Sequence, residues 1–377
     1  MISRKLIVVF FVIAILNIVP WCYAKVKMIQ VIMRHSNRNP MSEEWSYLYY
    51  PKDPYKNCDW EPDGAYELTN IGKQNAYELG KFLRERYGEL IGLKYKSNRV
   101  YFHATQQSRT INTAQLVAAG MFPPIDDQVW NSKLSWIPIP IHFQPMDEDI
   151  LNYSMAFCEN YRNDRRKSEK EVNRIFSVMG DIQNLFDFLS IHTGVNYTRA
   201  LQVQALHHQL LAQTELHLKL EPWTDAVFPN GKLIALSSVE YIIQSYTPRM
   251  KRLIGGVWIE KFLKHINDFT INKNNQNRGH FYACNEIQIG GILNTLGVYK
   301  AHVPGYTSTI IFELHEIDEE LFVKILYRNE RNLTELTIPG CESSVCPLSL
   351  FKSVLKNVTM NNYDEDCGKR VDFSFVI

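Results

Sequence analysis

The sequence predicts an α/β protein: a mixed sheet flanked by helices, with an inserted and mostly helical lobe. Three observations carry this. The apolar runs Val31-Ile32-Met33, Val100-Tyr101-Phe102 and His280-Phe281-Tyr282-Ala283-Cys284 read as short buried strands, each ending in a polar loop. Between about residues 147 and 263 strand signals are scarce and the pattern is helical and charged. Two further segments, Thr309 to Leu314 and Phe322 to Tyr327, alternate apolar and polar residues and pair as a hairpin. The resulting division is 25–135 with 264–377 for the α/β core, and 136–263 for the lobe.

The first 24 residues stand apart from this fold. Arg4 and Lys5 form a basic head, Leu6 to Val19 is an apolar run, and Cys22-Tyr23-Ala24 is a small-x-small cleavage pattern. These are the parts of a secretory signal peptide, and the apolar run is too short for a membrane anchor. Its removal takes two cations and turns the formal charge from +1 to −1. A chain this close to neutral has no global field for nucleic acid or an anionic membrane. Sequons at Asn152, Asn196, Asn332 and Asn357 fit a secreted, extracellular glycoprotein. Six cysteines remain after cleavage, and counting alone leaves 15 pairings open.

In chain order, an aromatic, proline-bearing segment follows the first strand and includes Trp45, Tyr47, Tyr49, Tyr50, Tyr55 and Trp60. It reads as a surface loop or as the wall of a cleft. A helix is expected from Asn70 to Tyr87, capped by Thr69 and ended by Gly88, with Ile71, Ala76, Leu79, Phe82 and Leu83 buried. A second helix follows from Ser108 to Ala119, and a third late in the chain from Ile287 to Leu296. His207, His208 and His217 fall in one lobe helix and read as surface or packing residues, because no acidic or cysteine partner completes a metal set. No Gly-rich nucleotide fingerprint is present, and neither a metal nor a cofactor is expected.

The chemistry concentrates at the first strand end, Arg34-His35-Ser36-Asn37-Arg38-Asn39-Pro40. Two guanidinium groups can hold phosphate oxygens bidentately, while an imidazole between them attacks phosphorus to form a phosphohistidine. His103 and Asn285-Glu286 also stand at strand ends, where open α/β sheets place their sites.

With these residues in place, the chain resembles the histidine acid phosphatases over nearly its whole mature length. The motif Arg-His-Gly-x-Arg-x-Pro of that family is matched with one departure, Ser36 for glycine. Tyr77-Glu78-Leu79-Gly80, Arg109-Thr110, Phe122-Pro123-Pro124 and Pro339-Gly340-Cys341 also resemble family segments. The resemblance implies disulfides Cys158–Cys367 and Cys341–Cys346, with Ala212 and Thr309 where the cysteines of a third bridge would fall. Cys58 and Cys284 are then unpaired unless they bridge each other. It also implies that His103 replaces a third phosphate-binding arginine, that Asn285 replaces a second histidine, and that Glu286 replaces the aspartate that protonates the leaving oxygen. A one-residue shift would instead put Cys284 and Asn285 on that pair, and either way the second histidine is absent.

The resemblance extends to catalytically degenerate salivary proteins of blood-feeding fleas, which sequester biogenic amines and leukotrienes. It implies a secreted pseudoenzyme, exported into saliva, with small-molecule host mediators as its partners. The resemblance implies serotonin-like amines and leukotrienes as ligands, held by Arg34, Arg38, His103, Asn285 and Glu286 in the former catalytic cleft, with His35 a vestigial nucleophile. Glu286 is the expected counter-charge for an ammonium, and Arg34 with Arg38 for a lipid carboxylate. A weak secreted acid phosphatase working through phosphohistidine is the alternative.

Overall fold

Two parallel ladders bring three strand ends to one edge of the molecule. In the computed structural model, which describes residues 25–42, 48–178, 181–272 and 276–372, β1 (Lys25–Arg34) is followed by α1 (Asn70–Ile91), β2 (Val100–Ala104) and α2 (Ser108–Met121). Seven helices come next: α3 (Ile150–Phe157), α4 (Glu159–Val178), α5 (Asp181–Thr193), α6 (Ala200–Glu215), α7 (Lys232–Gln244), α8 (Pro248–Lys251) and α9 (Val257–Ile271). The chain closes with β3 (Gly279–Cys284), α10 (Glu286–Thr295), β4 (Thr309–Ile317), β5 (Glu320–Asn329), β6 (Asn332–Leu336), β7 (Val345–Pro347), α11 (Leu348–Val354) and α12 (Tyr363–Cys367). The expected signal peptide and the aromatic Trp45 and Tyr47 lie outside the described residues.

The sheet runs β2-β3-β1-β4-β5-β6, with β7 also on β5. β1, β2 and β3 are mutually parallel, whereas β4 and β5 are antiparallel, so the sheet is mixed as expected. β1 is buried on both faces, as a central strand between helical layers must be. Ile29, Val31 and Met33 pack with α1 and α2, while Met28 and Ile32 pack with the helices from α8 to α11.

Thr69 caps α1 as expected, its Oγ1 accepting from the Gly72 amide at 3.0 Å. The helix does not stop at Gly88. It continues to Ile91 and ends at Gly92, whose φ of 84° only glycine adopts without strain. A glycine inside a helix costs about 1 kcal/mol, and burial of Leu83, Tyr87 and Ile91 outweighs that. Ile71 is exposed, one position out of phase with the buried Gly72, Ala76, Leu79 and Leu83. α1 and α2 cross at a glycine pair. A Cβ on Gly80 would lie 2.2 Å from the Val117 carbonyl, and one on Gly120 would lie 2.2 Å from the Tyr77 carbonyl.

The lobe has its own apolar cluster, drawn from Val172, Leu185, Phe186, Leu206, Leu210, Leu236 and Ile243 among others. It is narrower than the expected span 136–263, because Met250, Leu253, Trp258 and Phe262 pack beneath the sheet instead. Disulfides join Cys158 to Cys367 and Cys341 to Cys346, and Cys58 and Cys284 are free. Cys284 is buried in the sheet and Cys58 is exposed in a loop, so the two do not bridge. Asn196, Asn332 and Asn357 are exposed. Asn152 is buried, and its amide donates to Asp149 Oδ2 at 2.8 Å, so this sequon is closed to a glycan once the chain has folded. No described helix is long and apolar enough to cross a membrane.

Candidate functional site

The parallel register places the ends of β1 and β3 side by side. Arg34 stands opposite Cys284, and the His35 amide donates to the Cys284 carbonyl at 2.9 Å. Arg34, His35 and Arg38 are buried at this edge, and Asn285 and Glu286 open α10 beside them. His35, Arg38, Asn285 and Glu286 border a cavity of about 580 Å³ that continues into the lobe, and Arg34 lies behind them.

His35 has a defined tautomer. Its Nδ1 lies 2.9 Å from the Ser36 carbonyl, which can only accept, so Nδ1 carries the proton and Nε2 keeps its lone pair. Burial, followed by Arg109 and Arg34, holds the ring's pKa well below the ordinary histidine value, so the imidazole is neutral. Ser36, which stands where the motif has glycine, is fully buried, and its amide donates to Thr113 Oγ1 at 3.1 Å.

Arg34 is clamped from three sides. Nη1 donates to the Pro304 carbonyl at 2.6 Å, Nε faces Glu286 Oε2 at 3.3 Å, and the guanidinium stacks 4.4 Å over the Tyr306 ring. Arg38 donates to the Asn39 carbonyl and lies 4.6 Å over Tyr66. Burial alone would raise the Glu286 pKa, but Arg34, then His208 and His35, hold its carboxyl well below the usual carboxylate range. Glu286 is therefore an ion-paired anion, and its charge is not free for a ligand.

Two expectations about this site are corrected. His103 does not enter the cleft. Strand alternation turns Phe102 and Ala104 toward α1 and α2, and turns His103 with Tyr101 to the opposite face. There its ring meets Tyr101 at 6.3 Å and Tyr282 at 5.8 Å, and it borders no part of the cavity. His208 is neither a surface histidine nor a simple packing one. It is buried in α6, with Nε2 3.5 Å from Glu286 Oε1 and 3.3 Å from the Tyr241 hydroxyl. His217 lies beyond the end of that helix.

Sequence reasoning did not assign Arg109 to the site. It sits in the first turn of α2, donates from Nη2 to Asn285 Oδ1 at 3.2 Å, and covers the face of Tyr66 at 4.9 Å. Its electrostatic influence reaches His35. A third guanidinium therefore does serve the cleft, delivered by a helix N-terminus instead of a strand end. The signal available was its place five residues after the end of β2. Among the described residues no group of three His, Cys, Asp or Glu side chains could hold a metal ion.

The description "Histidine phosphatase superfamily (branch 2)" matches residues 25–328. The chain belongs to that family. Relatives include the venom acid phosphatase Acph-1 of Apis mellifera, 35% identical over 95% of this chain and 92% of its own length. The prostatic acid phosphatase of Bos taurus is 30% identical over 92% and 88%. The branch 2 fold extends to solved phytases of low identity. That of Klebsiella sp ASR1 superposes with a TM-score of 0.68 at 12% identity, covering 94% of this chain and 99% of its own. Apo Hafnia alvei phytase gives 0.65 at 16%, covering 93% and 99%. The mixed open sheet with flanking helices is that of the branch 2 phosphatases.

Proposed function

We propose that this protein is a secreted, catalytically weakened member of the acid phosphatase family that sequesters small mediators in the former catalytic cleft. The anionic part of such a ligand is held by Arg34, Arg38 and Arg109. The observation that carries this reading is the charge of the cleft. Three guanidinium groups, those of Arg34, Arg38 and Arg109, gather around its sheet-edge end, where Glu286 is paired with Arg34. Met41, Leu48, Met146, Met155 and Ile287 line the same cavity and suit an apolar body behind the anionic head. A leukotriene-like carboxylate combines both features. Export to an extracellular fluid such as saliva belongs to the proposal and rests on the residue 1–24 pattern and the exposed sequons.

Weak turnover follows from the proton inventory. The leaving oxygen of a phosphomonoester needs a proton. Glu286 is held ionised by Arg34 and His208, and Asn285 cannot supply a proton in place of an imidazole. His103, the expected substitute for an arginine, lies outside the cleft, though Arg109 restores that charge.

A second reading, a slow acid phosphatase, is favoured by one observation: the His35 tautomer leaves Nε2 free to attack phosphorus. One preparation distinguishes the two. Titration calorimetry with a leukotriene and an aryl phosphate assay are run side by side on wild type and His35→Ala. Stoichiometric lipid binding with negligible turnover supports the first reading. Robust turnover abolished by His35→Ala overturns it in favour of the second.

A further inference from the structure

Helix α4 separates its charges by sign. Its buried face is formed by Tyr161, Asp164, Arg165, Ser168 and Val172. The acids Asp164 and Glu169 turn toward neighbouring elements and are taken up there. Asp164 pairs with Arg249 at 2.7 Å, and Glu169 pairs with Arg165 and with Arg199 at 2.7 Å each. At about 100° per residue, Arg162, Arg166, Lys167, Lys170 and Arg174 share an arc of about 140° opposite the buried face. No acid of α4 falls in that arc between residues 162 and 174, and Glu171 borders it. Arg166, Lys167, Lys170 and Arg174 are exposed. Arg166 donates to the neutral Asn163 Oδ1 at 3.2 Å, and among the described residues Arg166, Lys167 and Lys170 make no ion pair.

Arg162, Arg166, Lys170 and Arg174 stand four residues apart, so they form one ridge with a cation every 6 Å over a length of about 18 Å, both roughly. Like charges at this spacing repel and cost the helix stability. Burial, and then the Arg166 charge, lower the Arg162 pKa. A linear polyanion laid on the ridge removes the repulsion and releases its own counterions. The whole chain has a formal charge of only +1, so the ridge is a local concentration of charge and no part of a general field. None of the exposed large apolar side chains lies between residues 159 and 174, so the face has nothing to insert into a bilayer. Guanidinium forks suit sulfate oxygens as they suit those of phosphate. For a chain with a secretory signal pattern, the polyanions at hand are sulfated polysaccharides. We propose that the outward face of α4 is a docking surface for a sulfated glycosaminoglycan, whose chain lies along Arg162, Arg166, Lys170 and Arg174. Tyr161 and Arg165, on the opposite side of the same helix, line the cavity, so docking leaves the cleft accessible.

The test titrates a size-defined heparin oligosaccharide into the glycosylated wild type and into the double variant Arg166→Gln, Lys170→Gln. Both side chains are exposed and glutamine is a good helix former, so the fold should survive. Lys167→Gln with Lys170→Gln decides the matter if the first pair does not fold. The control, Lys352→Gln with Lys356→Gln, removes equal charge from exposed positions elsewhere. Wild type should bind heparin at physiological salt. The α4 variant should weaken it by about tenfold or more and flatten the plot of log affinity against log salt by about two. The control should change heparin affinity by less than about twofold. Inorganic phosphate, which reads the arginine end of the cleft, should bind all of these proteins alike. Equal losses in the α4 variant and the control would make the binding a matter of total charge and overturn the surface. So would a wild type that ignores heparin, or that prefers vesicles of phosphatidylserine and phosphatidylcholine to it.

Discussion

The Arg34 guanidinium and the Glu286 carboxylate face each other at 3.3 Å, tying the last residue of β1 to the first residue of α10. The pair keeps ionised a carboxyl that a phosphatase would use as its acid. It is the local reason for expecting binding without efficient turnover.

Aryl phosphate turnover should rise in Asn285→His, since the new imidazole would stand beside Arg109 and Glu286 at the strand end. Recovering one charge-stabilising donor is worth on the order of 10²–10³ in rate. Adding His103→Arg should bring no further gain, because position 103 faces away from the cleft. Initial rates on p-nitrophenyl phosphate for the single and double variants check this. A double variant much faster than the single would show that residue 103 reaches the site.

Arg109→Ala should weaken inorganic phosphate or a lipid carboxylate by roughly ten- to a hundredfold, the range for a lost hydrogen bond to a charged group. The aliphatic stem and the Tyr66 stack are lost with it, so a thermal melt accompanies the titration. Unchanged anion affinity would remove Arg109 from the site.

Stability should fall as the pH drops below about 6.5. Burial holds His103 and His207 near 4 and His280 near 3, whereas the unfolded chain titrates at about 6.5. The unfolded state therefore binds protons first, and stability present above pH 6.5 is lost down to the folded values. Each of these histidines costs on the order of 2 kcal/mol at pH 5. Asp149, which burial raises to about 6, opposes the trend, because its folded form takes up a proton before the unfolded one. Three groups outweigh one, so the urea midpoint should be lower at pH 5 than at pH 7. An equal or higher midpoint at pH 5 would contradict the burial of these rings.

Peptide mapping of protein expressed through a eukaryotic secretory pathway should find glycans at Asn196, Asn332 and Asn357 and none at Asn152. The first three are exposed, and Asn152 is buried against Asp149. A fully occupied Asn152 would mean that α3 is placed differently.

Much of the fold was legible because it follows from local pattern. The Thr69 cap, the apolar run through Met33 and the alternation from Thr309 are each readable within a few residues. The loop from Arg34 to Pro40 stood out for the same reason, since its arginines and histidine are contiguous. What escaped depends on orientation or on distance along the chain. The facing of His103 is set by the phase of a five-residue strand, and one step along it exchanges one packed face of the sheet for the other. His208 meets Arg34 across 174 positions, and Glu240 meets Arg165 across 75, through helix packing that no local window contains. Arg109 lay within a segment already noted, but its direction depends on how α2 is rotated against the sheet.

That rotation traces back to the crossing of Gly80 with Gly120. The two backbones touch where neither has a side chain, and Gly120 lies eleven residues beyond Arg109 on the same helix. At 1.5 Å of rise per residue, the contact and the guanidinium are about 16 Å apart on one rigid rod. A single methyl group at position 120 would push the rod off its neighbour and swing its far end away from Asn285. The geometry of the cleft is thus set in part by an absence of atoms in a place remote from it. Drift there would move a cleft arginine while leaving every residue of the cleft unchanged.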